Sequence, residues 1–186
     1  MKPAETTMPI QNTSPGSERN IVLTGFMGTG KSSVARELAH MLGREVIDLD
    51  TEIEKNAGMS ITSIFATFGE PRFRELETDA ARQAAQKRGA IISTGGGVVL
   101  RRENVEALKA SGIIFCLAAS PETILKRTSA NRERPLLQVP DPLAKITEML
   151  NARGPCYMES CDYMIDTGGK TPKEVAQEIQ GKLKIG

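Results

Sequence analysis

Residues Gly25 to Ser32 read GFMGTGKS, and the fold follows from what stands on either side of them. Upstream lies the short apolar run Asn20 to Thr24 (NIVLT). Downstream, Val34, Ala35, Leu38, Ala39 and Leu42 recur at helical spacing. A strand, a glycine-bounded loop and a helix opening on Lys-Ser are the context that the phosphate-cradling pattern G-x-x-x-x-G-K-[ST] requires. Gly25, Gly28 and Gly30 let the backbone turn with its N–H groups inward, an anion nest at the positive end of the helix. Lys31 then reaches the outer phosphates as a point charge. The Ser32 hydroxyl is placed to ligate the Mg2+ that accompanies a nucleoside triphosphate.

Outward from that loop, short apolar runs alternate with helical stretches, which is the pattern of βα units stacked into a parallel sheet. The runs are Ile21 to Thr24, Glu45 to Leu49, Ala90 to Ser93, Ile113 to Leu117 and Tyr163 to Asp166. Ser120-Pro121 and Thr171-Pro172 read as helix caps followed by proline, Thr171 with Glu174 fits a capping box, and Gly43, Gly69 and Gly89 mark helix ends. The expected fold is α/β: a five-stranded parallel sheet flanked by helices, forming one domain over 20–186. Residues 1–19, with Pro3, Pro9 and Pro15 among polar residues, read as a disordered tail.

In such a sheet, ligands collect at the carboxyl ends of the strands, where strand order reverses. There the sequence puts the phosphate loop, then Asp48 and Asp50 of VIDLD, then Thr94-Gly95-Gly96-Gly97. Two residues apart, Asp48 and Asp50 are expected on one side of a strand as it ends. One would hold the metal's water shell and the other would orient an attacking hydroxyl, although either also suits a helix N-cap. Arg74 and Glu77 sit i, i+3 on a helix expected from about Pro71 to Arg88. That spacing fits an exposed ion pair and a clamp for a carboxylate substrate equally well. Three glycines in a row, Gly95 to Gly97, favour close approach of backbone to a ligand. Arg127, Arg132 and Arg134, in a segment edged by Pro135, Pro140 and Pro142, read as a basic mobile lid over about 128–141.

Composition closes off other classes. Lys plus Arg number 24 against 23 Asp plus Glu, a net charge of +1, which suggests no nucleic-acid track. No apolar run has the length of a membrane span and no secretory layout opens the chain, so the protein is expected in the cytoplasm. The three cysteines show no C-x-x-C spacing and read as reduced packing residues, and His40, the single histidine, as solvated or capping.

Taken in order, GFMGTGKS, DLD, GEPRFRELE, STGGG, RPLL and a late Arg153 followed by Tyr157 in RGPCYMESCDY resemble the shikimate kinase family from Asn20 to the C-terminus. The resemblance implies a P-loop kinase fold, a helical substrate-binding segment over about 50–78, a monomer, and ATP-dependent phosphorylation of the 3-hydroxyl of shikimate on the way to the aromatic amino acids. It implies nucleotide contacts from Gly28, Thr29, Gly30, Lys31, Ser32, Ser33, Arg127 and Arg134, with Arg127 against the adenine. Ser32 and Asp48 would hold magnesium. Asp50 would bind the shikimate hydroxyls and act as base, Arg74 and Arg153 would grip the carboxylate, and Gly95 to Gly97 would lie beside the ring. Lys31, Asp50 and Arg134 would carry the catalysis. Departures from the family pattern are Ser33 where Thr is usual, Ala35 where Gly is common and Cys156 where Leu is frequent.

The alternative in the same group is a gluconate or nucleoside monophosphate kinase, which has no reason to combine Arg74-x-x-Glu77 with a triple glycine. A GTP-binding switch wants an [NT]-K-x-D motif, which does not occur, and the D-x-x-G match at Asp166 to Gly169 comes too late in the chain.

Overall fold

A computed structural model describes residues 19–129 and 139–184. The run that precedes the phosphate loop is strand β1, Asn20–Gly25, buried along its whole length. It is buried because it is the middle of a five-stranded sheet. The other strands are β2 (Val46–Asp48), β3 (Ile91–Ser93), β4 (Gly112–Ala118) and β5 (Tyr163–Asp166), in the order β2-β3-β1-β4-β5. Every pairing is parallel. From β1 the chain runs out to the edge, returns to β3, then crosses β1 to reach β4. The carboxyl end of β1 therefore lies at the reversal of strand order, where the phosphate loop begins.

Alternation along the strands builds two cores. Val22, Ile92, Ile114 and Cys116 face one side, packed by helices α2 (Leu49–Ala57), α3 (Ile61–Ala85), α4 (Arg102–Ser111), α5 (Pro121–Thr128) and α6 (Pro142–Ser160). Ile21, Leu23, Ile91, Phe115 and Leu117 face the other, under α1 (Lys31–Leu42) and α7 (Pro172–Leu183). A buried asparagine fixes the entry to the sheet: Asn20 Nδ2 donates to the Lys87 carbonyl at 2.8 Å, and its Oδ1 accepts from Ala90 N at 3.0 Å. The expected caps are present. Ser120 accepts from Thr123 N, and Thr171 and Glu174 close a reciprocal capping box.

Two expectations need correction. Strand β2 stops at Asp48, because the Asp48 carboxylate accepts from the Asp50 and Thr51 amides at 3.1 and 3.4 Å and turns the chain into α2. Asp50 thus lies in the first turn of a helix and shares no strand face with Asp48. The helix carrying Arg74 ends at Ala85 and begins a full arm earlier, at Ile61, with a bend at Gly69 (φ 76°, ψ 176°) just before Pro71. Gly69 marks the expected break, but a second helical arm precedes it. The tail apart from Arg19, and most of the lid with Arg132 and Arg134, lie outside the described residues. Among the described residues no helix is long and apolar enough to cross a membrane.

Candidate active site

The phosphate loop takes its shape from three glycines with positive φ: Gly25 (130°), Gly28 (78°) and Gly30 (96°). Gly30 caps α1 without any side-chain hydrogen bond, and the first turn of the helix carries no acidic residue. The opening amides therefore present a positive helix end that no carboxylate of the first turn offsets. Lys31 Nζ folds back to donate to the carbonyls of Gly25 and Phe26 at 2.9 and 3.0 Å, beside the nest. Thr29 is buried, its hydroxyl donating to Phe26 O at 2.8 Å, which braces the loop from within.

Ser32 Oγ donates to Asp48 Oδ2 at 3.1 Å, across from the start of α1 to the end of β2. Asp48 does two jobs with its two oxygens: Oδ1 caps α2 while Oδ2 faces Ser32. A hydroxyl and a carboxylate are hard oxygen donors of the kind Mg2+ takes. Among the described residues no three His, Cys, Asp or Glu side chains converge to hold a metal. Ser32 and Asp48 could contribute two such donors, with phosphate oxygens supplying others.

The glycine ledge, Gly95 to Gly97, touches the phosphate loop. A Cβ on Gly96 would stand 3.5 Å from Met27 N and 3.6 Å from Gly25 O. On one side of the ledge, a Cβ on Gly95 would meet Asp50 Oδ1 at 2.8 Å and Glu77 Oε1 at 3.1 Å, so both carboxylates converge on one point. A Cβ on Gly97 would overlap the Arg74 guanidinium. The ledge itself is clamped. Thr94 Oγ1 donates to Leu23 O at 3.0 Å, Asn104 Nδ2 to Val98 O at 3.1 Å, and Tyr157 Oη to Gly96 O at 2.6 Å.

Arg74 and Glu77 form no exposed pair. The Arg74 side chain is 13% exposed and that of Glu77 only 1%. Arg74 Nη1 donates to Glu77 Oε2 at 2.8 Å, while Nε and Nη2 donate to Glu70 Oε1 at 3.1 and 2.9 Å. Burial works against the charge on Arg74, but Glu77 and Glu70 outweigh it and raise its pKa above the ordinary value. Burial also pushes the Glu77 carboxyl above the usual carboxylate range, against the pull of Arg74 and Arg101 and with a further push from Asp50. Among the described residues Glu77 Oε1 has no hydrogen-bond partner, and it faces the ledge. Two acids hold the guanidinium as a fixed cation, the posture of a carboxylate clamp.

Arg153 projects from α6, half-buried, its guanidinium 6.0 Å from the centroid of the Phe26 ring. It therefore stands over the start of the phosphate loop. On the far side of that loop, Arg127 donates to the Thr167 hydroxyl at 2.9 Å, to Thr167 O at 2.7 Å and to Gly28 O at 3.4 Å. The loop after β5 and the phosphate loop are thus joined through one guanidinium. Thr167 and the Tyr157 hydroxyl escape sequence reasoning because their partners are 40 and 61 residues away. The order of the RGPCYMESCDY stretch was the one available signal for Tyr157. His40 is exposed and the three cysteines are free, Cys116 being buried and pushed up to about 11 by that burial.

A phosphate loop at the end of the central parallel strand, with a guanidinium-and-carboxylate pocket built against it, defines a nucleotide-dependent small-molecule kinase. A family model described as shikimate kinase matches residues 27–184. The chain belongs to the shikimate kinase family. It is 50% identical over 161 residues to a shikimate kinase of Thermodesulfovibrio yellowstonii, covering 87% of this chain and 92% of that one. It is 47% identical over 161 residues to one from Caldanaerobacter subterraneus, covering 87% and 94%. The structure of shikimate kinase from Acinetobacter baumannii in complex with shikimate superposes with a TM-score of 0.87 at 38% identity, over 91% of this chain and 95% of that one.

Proposed function

We propose that this protein transfers the γ-phosphoryl group of ATP to the 3-hydroxyl of shikimate, giving shikimate 3-phosphate and ADP. One observation carries the reading: the buried Arg74 cation and the Asp50 carboxylate flank a glycine ledge that is itself in contact with the phosphate loop. An acid bearing hydroxyls asks for a guanidinium, a carboxylate acceptor and close backbone, and these stand around a ledge whose middle glycine lies against the phosphate loop.

In this account the amides of Gly28 to Ser33 and the Lys31 ammonium hold the β- and γ-phosphates. Ser32 and Asp48 would hold magnesium, which when bound neutralises charge between the phosphate oxygens. Arg74 and Arg153 grip the carboxylate of the acid from two helices, and Gly95 to Gly97 lie along its ring. Asp50 accepts a hydrogen bond from the attacking hydroxyl and takes its proton as the new O–P bond forms and the bond to the bridging oxygen of ADP breaks. With a loose transition state, positioning supplies most of the acceleration. Arg127, tied to Thr167 and Gly28, forms the wall against the adenine, and the family resemblance assigns Arg134, outside the described residues, to the phosphates. In keeping with the family resemblance, the enzyme is taken to work as a monomer in the cytoplasm.

The test is a coupled assay of ADP release with shikimate, gluconate and AMP offered separately. Turnover with shikimate alone is expected. Turnover with gluconate or AMP and none with shikimate overturns the assignment in favour of another phosphate-loop kinase.

A further inference from the structure

The glycine ledge and Arg153 come from parts of the chain far apart in sequence, and one side chain joins them. Tyr157 lies on α6 one turn after Arg153, is 5% exposed, and donates its hydroxyl to Gly96 O at 2.6 Å. A buried phenol needs such a partner, but here the partner is the middle residue of the ledge. The ring belongs to the buried core that also holds Val98, Val99, Ile146 and Met149, and one side of it borders a cavity. A cavity of about 220 Å³, lined among others by Phe26, Cys116, Leu150, Gly154 and Met158, separates this stretch of α6 from the end of β4 and the phosphate loop. A Cβ on Gly154 would meet nothing within 4 Å among the described residues. Apolar packing brings α6 into one buried core with Val98 and Val99, which follow the ledge. The Tyr157 hydroxyl adds a directional tie from α6 to the ledge itself.

We propose that the Tyr157 hydroxyl is a positioning group for the acceptor: by holding the Gly96 carbonyl to α6 it fixes the spacing between the glycine ledge and Arg153, and so the width of the slot that receives the acid. The proposal rests on the acceptor site described above. Tyr157 acts through Gly96 and Arg153 and touches no reacting atom. Burial pushes its phenol up to about 12, against the pull of the neighbouring Arg153, so the donor is present throughout the working pH range. Without the hydroxyl, Gly96 O loses this donor and the ledge is freer to move relative to α6.

The experiment compares Tyr157→Phe, which keeps the ring, with Ile146→Val, a core truncation on the same helix away from the ledge. KM for shikimate and for ATP, thermal midpoints and amide hydrogen exchange over residues 95–98 are measured in each, with Arg74→Ala as reference. Tyr157→Phe is expected to raise KM for shikimate roughly fivefold to tenfold, the scale of one neutral hydrogen bond, with KM for ATP within about twofold. Exchange over the ledge should quicken, while Ile146→Val should shift only the midpoint. Equal effects on both substrates, or no change in KM for shikimate with unchanged ledge exchange, overturn the proposal. If Arg74→Ala also leaves KM for shikimate unmoved, the acceptor site itself is misplaced. If Arg74→Ala raises it and Tyr157→Phe does not, the positioning role alone is wrong.

Discussion

Gly97→Ala isolates the contact between the ledge and the Arg74 cation. Gly97 has φ −103° and ψ −6°, a conformation any residue adopts, so alanine brings no backbone strain. What it brings is a methyl group in the space of the guanidinium, with Cζ at 2.7 Å and Nη2 at 2.8 Å. Arg74 must swing away and give up at least part of its bonding to Glu77 and Glu70. Charge-assisted hydrogen bonds are worth about 1.5–3 kcal/mol each, and solvent recovers part of that, leaving a loss of about 2–4 kcal/mol. For a chain of this size the thermal midpoint should fall by roughly 5–15 °C. Loss of one arm of the carboxylate grip, at about 2 kcal/mol, should weaken shikimate binding roughly 30-fold, with nucleotide binding little changed. Gly96→Ala is the internal control for stability, since its Cβ would meet nothing closer than 3.5 Å. Calorimetric titration of both ligands and a melting curve give the three readouts. A Gly97→Ala variant with an unshifted midpoint and wild-type affinity for shikimate would refute the claim that this glycine exists to admit the guanidinium.

Lys31→Ala should lower kcat by roughly a hundredfold or more while the fold survives by circular dichroism, because the ammonium sits in the phosphate nest. Asp48→Ala should raise the magnesium concentration needed for half-maximal rate and also cost about 1 kcal/mol of stability from the lost cap of α2, measured by denaturant titration. Arg127→Ala should raise KM for ATP severalfold and leave KM for shikimate alone, since its bonds join the Thr167 loop to Gly28. For pH, the Tyr157 phenol is raised from 10.0 to about 12, so the fold prefers its neutral form. The stability it lends is whole below pH 10 and is shed as pH rises from 10 to 12, about 2–3 kcal/mol in all. Melting curves of Tyr157→Phe should lack that part of the alkaline decline.

The phosphate loop, the parallel sheet and the two capping motifs were legible because each rests on residues close in sequence: glycine spacing, apolar runs, a Ser or Thr before proline. The Asp48–Asp50 pair lies where two local rules compete. Strand alternation predicts a shared face, but an aspartate that can cap the next helix ends the strand at itself. Arg74 and Glu77 show a different limit, since i, i+3 spacing is the same for a solvated pair and a buried clamp. The glycine ledge and Glu70 close on the pair, and that spacing reports neither. Tyr157 and Thr167 lie beyond any local rule, because their partners arrive from other strands and helices. The resemblance to a family named Tyr157 but gave it no role.

Diffraction from crystals grown with ADP, magnesium and shikimate tests the central claim most directly. The account predicts the acid on the glycine ledge, its carboxylate between Arg74 and Arg153 and a hydroxyl on Asp50 facing the phosphate loop. Shikimate lodged elsewhere, with Arg74 still closed on Glu70 and Glu77 and no contact to the acid, would contradict it.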